Sequence, residues 1–263
     1  MKKSIFISVM IVFILNTLFS SAIPQNRKII TLKNNNACYS KSAKLDRKNQ
    51  EDNTNADTTP KIIASIPEEK IYLYALNEQD GWYKGIVLSI NGVNKFFDWK
   101  AVTFPGWNTL HYLDLNNDNK KELVVMLTQN KGTGMFRNTV HIINPENFSE
   151  YKVKDALDIV YDNIDIRILS KKEMEIMIND TIYNAKILKS TRPSEIEKTF
   201  FHNFIEYYIE DNKLKAKVGI EVQFLSYIGN IIIDYEFKDD EFKIDKIAFE
   251  GNPKVTVTTL QVK

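Results

Sequence analysis

The sequence predicts a mostly β protein built from antiparallel hairpins, arranged as a β-sandwich or in a propeller-like way. From Lys61 onward, apolar runs of about five to nine residues alternate with turn signals. Asn91-Gly92 separates two alternating runs, and this dipeptide favours a hairpin because both central residues of a type I′ turn need positive φ. From Leu214 to Phe224, apolar residues alternate strictly with Lys, Gly, Glu and Gln, the period of a half-buried strand.

One segment has a different period and predicts a helix near residues 194–209. Ser194 and Glu197 have the spacing of a capping box. Apolar side chains then recur every four residues, at Ile196, Phe200, Phe204 and Tyr208. The alternative interpretation is a strand over residues 201–209. Residues 156–161 fit either one helical turn or a strand.

Near the end of the chain the alternation predicts a β-bulge. Phe242 and Ile244 fall on one face of a strand, whereas Ile247 and Phe249 are out of phase with them. One extra residue near Asp245-Lys246 restores the pattern.

Residues 1–22 have the features of a secretory signal peptide. Lys2 and Lys3 precede a mostly apolar run, and Ser20 and Ala22 have the small side chains of a cleavage site. The run is interrupted by polar residues and falls short of the roughly 20 residues that cross a bilayer, which favours cleavage over an uncleaved anchor. We therefore expect a secreted protein, extracellular or associated with the cell envelope.

The rest of the chain is predicted in three parts. Residues 23–60 are polar with few apolar side chains, which is typical of a disordered linker. Residues 61–165 form a β domain, and residues 166–263 form a C-terminal antiparallel β part packed with the first.

Charge and cysteine content narrow the possible partners. Signal cleavage removes two of the 35 basic residues and none of the 34 acidic ones, which leaves a net charge of about −1 and no electrostatic basis for binding nucleic acid or an anionic membrane. The single cysteine, Cys38, allows no internal disulfide, so the core or a bound ion must hold the fold.

The most specific chemical signal lies in residues 111–127, HYLDLNNDNKKELVVML. Groups that can offer an oxygen ligand stand at every second position: Asp114, Asn116, Asp118, Lys120 through its carbonyl, and Glu122. Ca²⁺ accepts six to eight such ligands in a flexible geometry, whereas Mg²⁺ needs a stricter octahedron. Zinc is disfavoured because no His or Cys cluster is present. The flanking apolar runs place this predicted calcium site in a β-hairpin.

The segment DLNNDNKKELVVML resembles the loop of FG-GAP or VCBS-type repeats, whose pattern is Asp-x-Asp/Asn-x-Asp-Gly-x-x-Asp/Glu followed by an apolar strand. Such repeats form β-propeller blades with Ca²⁺-binding loops, so the resemblance implies the five ligands named above. Asn119 replaces the usual Gly, and the chain carries one copy of the loop. The runs KGTGMFRNTVHIINPENFSEYKV and IGNIIIDYEFKDDEFKIDKIAFE are also similar to segments of uncharacterised exported proteins of Gram-positive bacteria.

The remaining side chains carry no catalytic motif. No G-x-S-x-G sequence is present, and no spacing supplies a histidine with the partner and orienter that a general base needs. His111 and His141 are therefore predicted to be packing or surface residues. His202 and Glu206 would be neighbours on a helix face, a pairing that is common by chance.

The sequence favours a non-catalytic binding module with a Ca²⁺-stabilised loop, whose partner is an envelope polymer or another protein. Two alternatives remain open. One is an extracellular hydrolase that uses the loop's ion or carboxylates such as Asp98, Asp234 or Asp239. The other is a purely structural protein of the cell envelope.

Overall fold

The computed structural model describes residues 60–188, 195–223 and 225–261. Strands make up 68% of it and helices 6%, which confirms the predicted mostly β class with antiparallel sheets. The predicted signal peptide, all of the predicted linker except Pro60, and Ser194 lie outside the described residues. Within the described ranges, no helix is long and apolar enough to cross a bilayer.

The elements follow one another with short connections. The strands and the helix in chain order are β1 Lys61–Ile66, β2 Ile71–Gln79, β3 Trp82–Ile90, β4 Val93–Val102, β5 Thr109–Leu113, β6 Glu122–Gly132, β7 Met135–Ile143, β8 Glu150–Val153, α1 Ala156–Asn163, β9 Ile164–Ser170, β10 Glu173–Ile178, β11 Thr181–Ile187, β12 Phe204–Glu210, β13 Lys213–Gln223, β14 Ser226–Lys238, β15 Glu241–Gly251 and β16 Val255–Gln261. A 3₁₀ turn, Pro67–Glu69, joins β1 to β2.

The strands form three sheets. Four strands make the sheet β1-β2-β3-β4, and four make the sheet β16-β11-β10-β9. Eight strands make the central sheet, in the order β12-β13-β14-β15-β8-β7-β6-β5. Because β12 also pairs with β7, six of these strands close into a ring from which β6 and β5 extend. The central sheet takes strands from both sides of residue 165.

Strand β6 is buried on both faces. Val124 and Met126 lie in a core with residues of the ring, α1 and the β9–β11 sheet. Leu123, Val125 and Leu127 alternate with them and lie in a second core against β2 and β3. A strand buried on both faces has a continuous apolar sequence, which explains the run ELVVML.

The predicted helix near residues 194–209 is wrong. Phe204–Glu210 is strand β12, so the alternative interpretation of a strand describes this segment better. The N–H of Glu197 donates to the Val222 carbonyl oxygen instead of capping a helix. Pairing with β13 outweighs the four-residue period, because β-branched and aromatic side chains gain more from packing on a sheet than from local helix formation. The α-helix of the described residues is Ala156–Asn163.

Two local predictions are confirmed. Asp234 of β14 lies opposite Lys246, and Tyr235 lies opposite Ile244, so Asp245 is the extra residue of the expected bulge. Asn91 and Gly92 have φ of 52° and 82°, as a type I′ hairpin requires.

Candidate functional site

The predicted metal loop connects β5 to β6, and its side chains bind its own backbone. Asp114 accepts the Asn117 N–H at 2.8 Å through Oδ1 and the Asn119 N–H at 2.9 Å through Oδ2. Asp118 Oδ1 accepts the Lys120 N–H at 2.8 Å. These short side chains replace the backbone partners that a tight loop cannot supply.

Asparagines allow the sharp turns of this loop. Asn117 and Asn119 have φ of 62° and 66°, the left-handed region that Asn tolerates better than most residues. Asn119 thus has the conformation that Gly provides at this position of the repeat pattern. Asn116 Oδ1 accepts the Asp118 N–H at 3.0 Å, and its Nδ2 donates to Asp118 Oδ2 at 3.3 Å.

Glu122 closes the loop from the first position of β6. It is 2% exposed, and its Oε2 accepts the N–H of Leu115 at 2.8 Å. Burial raises the pKa of the Glu122 carboxyl, and the negative charges of Asp118 and Asp114 raise it further. Three carboxylates therefore oppose one another within nine residues, and a cation near Glu122 would relieve this repulsion.

The donor set fits Ca²⁺ by chemistry. Carboxylate, amide and carbonyl oxygens are the ligands that hard cations prefer, and a carboxylate oxygen that accepts one N–H keeps a second lone pair. The Lys120 ammonium group leaves the loop to pair with Glu146 at 3.1 Å, so its carbonyl oxygen is the group it can offer. Among the described residues, no three His, Cys, Asp or Glu side chains lie together so that they alone could hold a metal ion.

A second feature, a cleft of about 400 Å³, lies where two strands share one edge of β7. Strand β12 pairs with β7 at Phe136 and Arg137. Strand β8 pairs with it at Ile142 and Ile143. Between these pairs, residues 138–141 pair with β6 on one side and have no ladder partner in β8 or β12 on the other. Side chains reach across at both ends, from Asn138 to Tyr207 and from His141 to Glu150. The cleft is therefore a break in an otherwise continuous sheet.

Charged and aromatic side chains line the cleft, among them Arg137, His141, Glu150, Tyr151, Lys152, Asp155 and Tyr207. Most of these are already engaged. Lys152 pairs with Glu241 at 2.9 Å, and Asp155 caps α1. Among the described residues, no ion-pair partner lies near the guanidinium of Arg137.

The tyrosine on the floor of the cleft also has a partner. The Tyr207 hydroxyl accepts the N–H of Ala156 at 2.9 Å, and burial raises its pKa to about 12. It therefore remains neutral at any physiological pH and offers the cleft an aromatic surface.

His141 has the partners that the sequence did not reveal. Its Nδ1 lies 2.7 Å from Glu150 Oε1, and its Nε2 lies 3.4 Å from Thr139 Oγ1. Its ring stacks on Trp99 with centroids 4.3 Å apart. The register between β7 and β8 brings Glu150 to this position. Asn144-Pro145, which marks the turn between these strands, was the one signal in the sequence for that proximity.

No known protein family, no curated protein and no solved structure matches this chain. The resemblance of the loop to FG-GAP or VCBS-type repeats therefore stays a prediction.

Replacing Glu122 by Gln should change how stability depends on pH. Gln keeps an oxygen that can accept the Leu115 N–H but carries no charge. Because burial raises the pKa of Glu122 above its ordinary value of 4.5, the folded protein holds this proton at a pH where the unfolded chain has lost it. The wild-type free energy of unfolding should therefore fall as pH rises through that window, and Glu122→Gln should remove this fall.

Urea unfolding in EDTA at pH 4 and pH 7 measures the difference. The matched control is Glu68→Gln, which removes an exposed carboxylate and should keep the wild-type dependence. If the free energy of unfolding changed equally between the two pH values in the wild type and Glu122→Gln, the role given to the buried charge would be contradicted.

Proposed function

We propose that this chain is an exported, non-catalytic binding protein that takes its ligand in the cleft between β8 and β12. The carrying observation is the break in pairing along residues 138–141 of β7, which opens about 400 Å³ in the sheet. A pre-formed cleft of this volume with a few converging polar groups is a typical ligand site. Export rests on the sequence of residues 1–22, and the expected partner is an envelope polymer or protein.

In this proposal Ca²⁺ binds at the start of β6 and stabilises the ligand-binding cleft through that strand. The loop residues Asp114, Asn116, Asp118 and Glu122, with the Lys120 carbonyl, would hold the ion. Its charge would offset the repulsion around the buried carboxylate of Glu122. Because Glu122 begins β6 and β6 pairs with residues 138–141 of β7, an ordered loop would stabilise the strand under the cleft.

Calcium should raise the midpoint of thermal unfolding of the wild-type protein, and EDTA should reverse the increase. An ion that binds only the native state at a hundred times its Kd adds about 2.7 kcal/mol. Asp118→Asn keeps an acceptor for the Lys120 N–H but removes one charge, and should lose most of this increase.

The matched control for calcium is Asp240→Asn, at the turn between β14 and β15, where the exposed carboxylate has no role in the loop. It should respond to Ca²⁺ as the wild type does. A wild-type midpoint that is the same in Ca²⁺ and EDTA would refute calcium binding.

Ligand binding in the cleft should be visible by amide NMR. The probes are capped tetrapeptides, chitotetraose and cellotetraose. At least one class should shift the amide signals of residues 138–141 before those of β10 and β11 in the separate sheet. Thr139→Trp places a large side chain in the cleft and should abolish these shifts, whereas Thr259→Trp on the exposed edge strand β16 should retain them. If no probe moves the cleft signals, the proposed site is wrong.

The His141 arrangement favours a second candidate function, an extracellular hydrolase. The hydrogen-bonded chain Glu150–His141–Thr139 has the order of an orienting acid, a base and a hydroxyl nucleophile. His141 would accept the Thr139 hydroxyl proton while that oxygen attacks an ester carbonyl, and Glu150 would stabilise the imidazolium. The imidazolium would then protonate the alcohol that leaves as the ester C–O bond breaks, and a water deprotonated by His141 would release the acid from Thr139. Two of the three carboxylates named from the sequence are less suitable, because Asp234 pairs with Lys215 and Asp239 pairs with Lys243.

The hydrolase candidate predicts turnover of 4-nitrophenyl acetate that depends on the base. His141→Gln should reduce the rate at least a hundredfold, within the range for loss of a positioned general base. His202→Gln, which changes a histidine outside the cleft, should leave the rate unchanged. If the two variants and the wild type give the same rate as free imidazole, the candidate fails.

A further inference from the structure

The middle of β7 presents backbone groups without a strand partner. The N–H of Phe136 donates to Asn203 O at 2.9 Å, and the N–H of Asn144 donates to Ser149 O at 2.9 Å. Both bonds lie on the side of β7 away from β6. Because the direction of the backbone groups alternates along a strand, the N–H and C=O of Val140 point the same way, into the cleft.

The residues on either side of Val140 already make hydrogen bonds to β12 or β8. The amide side chain of Asn138 fills the space where β12 diverges, since its Nδ2 donates to Tyr207 O at 2.9 Å and its Oδ1 accepts the Tyr207 N–H at 2.7 Å. On the other side, Ile142 is paired with Tyr151. Val140 is thus the one position between the two junctions where a further chain can form backbone hydrogen bonds.

The side chains around Val140 leave few polar groups for a sugar. Glu150 is bonded to His141, Lys152 to Glu241, and Asp155 to the first turn of α1. A glycan needs several side-chain donors and acceptors directed at its hydroxyl groups. A peptide in an extended conformation needs mainly backbone partners, and these are what the cleft offers.

The charge of the cleft indicates one more property of its ligand. Arg137 lines the cleft and adjoins the break in pairing, where its guanidinium has no ion-pair partner among the described residues. A guanidinium binds carboxylates through two parallel hydrogen bonds. The ligand should therefore carry a carboxylate at the Arg137 end of the cleft.

We propose that the cleft binds a short extended peptide, which pairs one residue with the backbone of Val140 and places a carboxylate on Arg137. The proposal rests on the proposed function, since it names the ligand of that binding site. Because Asn138 is bonded to β12, the open stretch is residues 139–141, about 10 Å at roughly 3.3 Å per residue. It thus accommodates about three residues of the peptide.

The test uses acetylated tetrapeptides with a free C-terminal carboxylate, first as a mixed-sequence library and then as the tightest-binding member. Binding should shift the Val140 amide signal and slow its hydrogen exchange. Methylation of one inner peptide nitrogen should weaken binding at least tenfold, whereas methylation of the next nitrogen should not, because alternate peptide groups face β7.

Arg137 is tested separately. Arg137→Gln should weaken binding of the free-acid peptide about tenfold, which corresponds to about 1.4 kcal/mol. It should leave binding of the same peptide with a C-terminal amide unchanged. The control variant Lys213→Gln removes an exposed charge on β13 and should bind both peptides as the wild type does.

The outcomes separate this inference from the proposed function. If chitotetraose or cellotetraose shifts the cleft signals and the peptides do not, the ligand class is wrong and the binding site stands. If methylation at every position is tolerated, pairing with Val140 is refuted. If none of these probes moves the cleft signals, the proposed function fails as well.

Discussion

The burial of β6 on both faces is the constraint on which the rest of the structure depends. Val124 and Met126 belong to the core shared with the ring, α1 and the β9–β11 sheet, while Leu123, Val125 and Leu127 belong to the core against the β1–β4 sheet. One strand therefore holds two layers in register, and a shift of one residue would exchange the contents of both cores. The first residue of this strand is fixed by the bond between Glu122 and the Leu115 N–H. The acidic loop, both cores and the part of β7 that borders the cleft are consequently joined through β6.

The side chains proposed as Ca²⁺ ligands also hold the backbone of the acidic loop. Asp114 and Asp118 bond the loop's own N–H groups, so the hairpin keeps its shape through internal hydrogen bonds. The cost is a concentration of negative charge next to a buried carboxylate. In the proposed calcium-bound form, the ion would offset this charge and add stability to a loop whose course the internal hydrogen bonds already set.

The sequence predicted what depends on neighbouring residues and missed what depends on register. The hairpin at Asn91-Gly92 and the bulge at Asp245 follow from local turn chemistry and period two, and both are present. The helix prediction near residues 194–209 was wrong because apolar side chains at every fourth position suit a strand as well as a helix when alternate positions are also apolar. The cleft escaped prediction because it arises where β8 and β12 meet one edge of β7, far apart in the chain. The contact of His141 with Glu150 is local but was missed because it depends on the register between β7 and β8.

The junction between β7 and β12 has a further consequence for how the protein folds. Asn138 and Tyr207 are 69 residues apart in the chain, and the pairing of Lys152 in β8 with Glu241 in β15 spans a still longer stretch. The other pairs of the ring are hairpins between consecutive strands. Closing so long a loop carries a larger entropic cost than forming a hairpin, so the ring should close after its hairpins have formed. The cleft lies between β8 and β12, so it is complete only when both long-range junctions of the ring have closed. Until then, the open backbone of β7 is an unprotected strand edge, and the chain is most exposed to pairing with other copies of itself.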